Sequence, residues 1–143
     1  MQEGTFSAPG YPEGTGDRLP DVYAANCPTR QLLDRIADKW SVLILTTLGS
    51  REMRFNALKR RIDGISQKML SQTLRSLERD GLVVRAVVPT VPVTVSYAIT
   101  PLGRELLAAL QAMIDWAERR MADVRLAQFA YDVREEELAG LTL

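Results

Sequence analysis

Histidine is absent from this 143-residue sequence, and cysteine occurs once, as Cys27. Without histidine the commonest general base is missing, which closes Ser–His and Cys–His nucleophilic mechanisms and nearly excludes a zinc site of the usual ligands. One cysteine cannot form an intramolecular disulfide. Net charge is absent too: 18 Lys and Arg balance 18 Asp and Glu, so the total argues for neither nucleic acid nor membrane. Aliphatic runs are short. The longest, 42–45, falls far below the roughly 20 residues that span a bilayer. The first twenty residues are rich in Gly, Pro and acid and lack the basic start and apolar run of a secretory signal. These absences predict a cytoplasmic protein that is not an enzyme, has no membrane contact, and carries no cofactor, metal or catalytic residue.

What is present is ordinary in amount and uneven in placement. With 46% hydrophobic and 25% charged residues, the chain suits one globular domain large enough to bury a core. Residues 51–85 carry nine Lys and Arg against four Asp and Glu, a net of +5, whereas residues 1–50 come to −2 and residues 101–143 to −3. The middle of the chain is a basic island in acidic surroundings.

The pattern predicts three regions: an arm over 1–22, a folded domain over 23–121 and a C-terminal extension over 122–143 with some helical character. The arm has no apolar period and is broken by Gly and Pro. Pro28 suits a first helical position, and Leu32, Leu33, Ile36 and Trp40 follow at helical spacing. A more buried helix is predicted over 40–48, with Gly49 as its stop. After an extended piece near Met53, Asn56 is positioned to cap a helix in which Phe55, Leu58 and Ile62 face the core. A turn at Asp63–Gly64–Ile65 leads to Ser66, a cap residue, and to a helix with Leu70, Leu74 and Leu77 on one side and Gly81 at its end. Two short helices joined by a glycine-containing turn form a helix-turn-helix. Two β-branched stretches, 82–88 and 93–99, flank Pro89 and Pro92 and predict a hairpin. Thr100 and Pro101 then open a long helix to about Met121. Its leucines cover too wide an arc for one small domain to bury alone, which asks for a partner surface.

In this order, "CPTRQLLDRIADKWSVLILTTL", "RFNALKRRIDGISQKMLSQTLRSLERDGLVVR" and "VPVTVSYAITPLGRELL" resemble the HxlR family of winged helix-turn-helix transcriptional regulators, relatives of the MarR group, from about Cys27 to Met121. The resemblance implies a mainly α fold with a small β-hairpin wing. It further implies binding to operator DNA and a homodimer formed through the N- and C-terminal helices, to which Leu32, Leu106, Leu110, Met113 and Ala117 would contribute. Members often respond to small electrophiles or metabolites. A wing in this family is expected to carry a basic residue near Thr94, and here none is present.

The residues support the same reading independently. In the major groove Arg and Lys donate to guanine, Gln pairs with adenine and Ser serves either. Ser66, Gln67, Lys68, Ser71, Gln72 and Arg75 supply that inventory in the N-terminal half of the helix, where a docked recognition helix meets base edges. Arg51, Arg54, Lys59, Arg60, Arg61, Arg79, Arg85 and the Thr94 hydroxyl are the candidates for phosphate contacts, which set register and dominate affinity. A polar helix face can also be plain solvated surface, and the flanking elements are what favour the reading head. Cys27 reads in two ways. At a helix N-terminus beside Arg30 its thiolate would be favoured, as in a redox sensor, or it is a small apolar filler. Trp40, Phe55, Met113 and Trp116 are candidates to line a ligand pocket for a small-molecule or oxidant effector. The reading is therefore a sequence-specific DNA-binding transcriptional regulator, with repression as the expected sign. Its alternative is a winged helix used as a protein–protein interaction module without specific DNA binding.

Overall fold

The computed structural model describes residues 21–141, so the arm expected over 1–22 lies almost wholly outside the described residues. The chain divides into two units, Met1–Ile36 and Ala37–Leu143. The first contains α1 (Pro28–Ile36), which opens on proline as the sequence predicts. The second contains α2 (Lys39–Ser50), β1 (Met53–Arg54), α3 (Phe55–Arg61), α4 (Gln67–Arg79), β2 (Val83–Val88), β3 (Thr94–Ile99) and α5 (Pro101–Leu141). This is the predicted mainly helical fold with a β wing.

The core of the second unit is aliphatic. Ile44, Leu45 and Leu48 of α2, Leu58 of α3, Leu70, Leu74 and Leu77 of α4, and Val83 of β2 are its fully buried large side chains. On α4 the buried positions 70, 73, 74 and 77 repeat at helical spacing and leave the opposite side wet. Thr73 is the polar member of that set, and its hydroxyl is satisfied by donating to the Met69 carbonyl at 2.8 Å.

Both ends of α4 follow local rules. Ser66 is the N-cap, its hydroxyl oxygen accepting from the Met69 amide at 3.0 Å. At the other end Gly81 takes a φ of +76°, the left-handed conformation that glycine reaches without penalty. The Gly81 amide donates to the Glu78 carbonyl and the Leu82 amide to the Leu77 carbonyl, the paired bonds of a Schellman motif. Chain direction is thus reversed into β2 within two residues, which fixes the wing to the end of the helix.

Four local expectations are corrected. Gly49 does not stop α2 but lies in its last turn, and a Cβ there would overlap Leu107 Cδ2 of α5, so the residue serves close helix packing. The cap of α3 is Arg54 in extended conformation, and Asn56 falls inside the first turn. The wing is not a lone hairpin: β1 adds to it, giving an antiparallel sheet of order β1-β3-β2 with Met53 opposite Tyr97 and Arg54 opposite Ser96. The last helix does not end near Met121. It continues unbroken to Leu141, because after Pro101 no proline occurs and Gly140 is the next glycine beyond Gly103.

Candidate nucleic-acid interface

Gln67, Lys68, Ser71, Gln72, Arg75 and Arg79 all project from α4, and at about 100° per residue they fall within roughly 140° of its circumference. An open groove of about 520 Å³ runs along this side, lined by Gln67, Lys68, Ser71, Gln72 and Arg75. Five of the six expected base-contacting residues therefore share one concavity. The sixth, Ser66, stands at its N-terminal edge with its oxygen already accepting from Met69, which leaves the hydroxyl proton as its free donor.

The cations around this groove are exposed. Arg51, Arg54, Lys59, Arg60, Arg61, Lys68, Arg75 and Arg79 have no carboxylate partner among the described residues. Lys59, Arg60 and Arg61 crowd the last turn of α3, next to the turn that leads into α4. Their charges are available to an external anion, which is the condition for counterion release on DNA.

Arg85 differs. It is the single charged residue between Leu82 and Ile99, and its Nε lies 3.8 Å from Glu78 Oε1 of α4. Its cross-strand partner is Tyr97, whose hydroxyl is pushed above its ordinary value of 10.0 mainly by burial. Arg85 and Arg75 act on that hydroxyl in the opposite sense and Glu78 in the same one, so all three charges lie near enough to be felt where the wing leaves the recognition helix. The sequence alone did not single out Glu78 or Tyr97. The available signal was spacing, since Glu78 follows Arg75 by three positions and Ser71 by seven.

Elsewhere the expected sites are scattered. Thr94 is half-buried at the outer end of β3, opposite Val88. Leu32 is partly exposed on α1, and Leu106 is half-buried on α5. Leu110 is only 5% exposed, so its surface is already used inside the chain and is not free for a dimer partner. Met113 and Ala117 are exposed on the same helix, Met113 by 62%. Of the residues expected to line a pocket, Trp40 is half-buried near Gly64, with Lys39 Nζ 4.6 Å above its ring, and Phe55 is half-buried at the start of α3. Met113 and Trp116 face outward on α5, so one chain does not enclose a pocket around all four. Cys27 is 6% exposed, and Arg30 turns its guanidinium to the Tyr23 carbonyl at 2.9 Å.

The stretch that carries the two-helix motif, with its capped, polar-faced second helix, attached wing and exposed cations on one side, is matched by a known family model over residues 35–125, described as HxlR-like helix-turn-helix. The chain belongs to the HxlR-like helix-turn-helix family. It is 40% identical to the HTH-type transcriptional regulator YtfH of Escherichia coli over 104 residues, covering 73% of this chain and 82% of that protein. Among solved structures, the transcriptional regulator YtfH from Salmonella typhimurium aligns with a TM-score of 0.72 at 39% identity, covering 78% of this chain and 99% of that one. The redox regulator HypR in its oxidised form aligns with a TM-score of 0.60 at 38% identity, covering 65% and 96%. The family member described here is accordingly a winged helix-turn-helix transcriptional regulator that binds DNA, and the interaction-module alternative is set aside.

Proposed function

We propose that the protein is a homodimeric repressor whose two α4 helices enter successive major grooves of a pseudo-palindromic operator, about one helical turn apart. The observation that carries this reading is the groove lined by Gln67, Lys68, Ser71, Gln72 and Arg75, set among cations that no carboxylate among the described residues neutralises. Those five residues and Ser66 read base edges. Arg51, Arg54, Lys59, Arg60, Arg61 and Arg79 hold phosphates. The homodimer reading is supported by α5, roughly 60 Å long at 1.5 Å per residue, which exposes Met113, Trp116, Leu126 and Phe129 to solvent.

Among the described residues no helix is long and apolar enough to cross a membrane. HypR is called a redox regulator, and a thiol-based oxidant response in this chain would have to pass through Cys27, its single cysteine. Such a response would end in a disulfide with the partner subunit or with a small thiol, because the chain offers no second thiol. Any effector must bind or modify the DNA-competent and DNA-incompetent states differently in order to shift their populations.

The test is a salt titration of binding to mixed-sequence duplex and to genomic fragments recovered by selection. Binding should weaken steeply with salt, and one fragment should survive conditions that release the mixed duplex. Binding independent of salt, or none, would overturn the reading. A reporter driven from the recovered fragment should rise when the protein is removed; a fall would reverse the sign to activation.

A further inference from the structure

Eight of the nine cations in residues 51–85 lack a carboxylate partner among the described residues, and the ninth, Arg85, has one. Arg85 is also the single charged residue of the β2–β3 hairpin. Its partner Glu78 lies on the same side of α4 as Ser71, seven residues on, so a carboxylate stands at the C-terminal end of the surface that faces DNA. An anion at that place would be expected to cost affinity, since every phosphate that approaches the wing base meets it. The contact itself is loose: one guanidinium nitrogen at 3.8 Å, with side chains 51% and 39% exposed. Exposed pairs of this kind contribute little, whereas arginine engages a phosphate through two parallel hydrogen bonds. A phosphate held in the right place therefore wins the guanidinium, and one that is only passing does not.

We propose that Glu78 is a specificity-determining residue that holds Arg85 away from arbitrary phosphates and releases it only when α4 is seated on its bases. On a non-cognate duplex α4 finds no base register, the backbone stays too far from the wing base, and the carboxylate keeps its partner. On the operator the base contacts fix one phosphate next to Arg85, and the carboxylate turns to solvent. The hairpin's cation is thereby counted toward specific binding and withheld from non-specific binding, which widens the ratio between the two. Tyr97 is the cross-strand neighbour of Arg85 on β3.

The inference rests on α4 being the DNA-reading helix, and the experiment separates the two. Full-length wild type, Glu78→Gln, Arg85→Ala and the double variant are titrated with salt on mixed-sequence duplex and on the selected fragment. Glu78→Gln should bind mixed duplex several-fold more tightly, with the slope of log K against log salt steeper by about 0.9 per subunit. Discrimination should fall by the same factor. Arg85→Ala alone should leave the mixed-duplex slope unchanged and weaken binding to the selected fragment, and the double variant should lose the gain of Glu78→Gln. A gain that persists in the double variant would overturn the proposal, because it would show the carboxylate acting by simple repulsion. So would a mixed-duplex slope that falls by about 0.9 in Arg85→Ala, since Arg85 would then already sit on phosphate. Wild-type protein that binds no duplex would instead overturn the assignment of α4.

Discussion

The Thr100 hydroxyl donates to the Gly81 carbonyl at 2.6 Å and accepts from the Gly103 amide at 3.0 Å. One side chain thus closes the C-terminal turn after the recognition helix and caps the first turn of α5. The Thr100 amide adds a bond to the Leu82 carbonyl at 3.1 Å. The reading helix, the root of the wing and the start of the longest helix meet at a single residue, so the orientation of α5 and that of α4 are not independent.

Thr100→Val keeps the shape of the side chain and removes both hydrogen-bonding roles. It should destabilise the protein by about 1–2 kcal/mol, the range for loss of a helix cap. Thr100→Ser should restore most of that. Urea midpoints of the three proteins at fixed slope would check it; equal midpoints for the valine and serine variants would mean the hydroxyl bonds are worth nothing to the fold.

Gly103 lies against the same joint. A Cβ there would overlap the Leu82 carbonyl oxygen and stand 2.7 Å from Ile99 Cγ1, and the backbone atom cannot move without disturbing the root of β2. Gly103→Ala should therefore cost about 1–3 kcal/mol, as overpacking does, despite alanine's better helix propensity. A thermal melt that is unchanged or raised would contradict the close approach.

The contrast between these joints and α4 shows what the sequence could and could not reveal. The limits of α4 were legible because each is set within a few residues: Ser66 reaches Met69, and Gly81 permits the bonds to Glu78 and Leu77. The basic face was legible for the same reason, since helical spacing alone gathers Lys68, Ser71, Gln72 and Arg75. The part played by β1 was not. A two-residue strand has no period, and what holds it is a sheet partner far along the chain, as in the Ser96 hydroxyl that donates to Glu52 across 44 residues. Gly49 misled because glycine serves both helix ends and close helix packing, and only the position of Leu107 decides between them. The Glu78 and Arg85 pair was hidden likewise, because the wing's return over α4 depends on the exact turn at Gly81.

Tyr97 makes stability depend on alkaline pH. Burial raises its folded value above the 10.0 of the ordinary side chain, so the native state holds the proton where the unfolded chain has lost it. Stability from this residue is complete below 10.0 and declines as pH rises through the folded value. Urea midpoints measured on both sides of that range should fall in the wild type, and the fall should be smaller in Tyr97→Phe. Equal declines in the two would assign the effect to other groups.

The division of labour between α4 and α3 gives the most direct check on how DNA is read. Arg75 lies in the groove, and Lys59 lies on the last turn of α3 outside it. If Arg75 donates to a guanine edge, Arg75→Ala should cost about 1–3 kcal/mol on the selected fragment and relax preference at one base pair. Its effect on mixed duplex should be smaller. Lys59→Ala should weaken all duplexes alike and reduce the salt slope by about 1. Competition binding with a set of singly substituted fragments would separate the two patterns. The same loss on every fragment for Arg75→Ala would make it a phosphate contact, leaving Gln67, Lys68, Ser71 and Gln72 to account for sequence preference. That outcome would move the centre of the reading head toward the N-terminal turn of α4, beside Ser66.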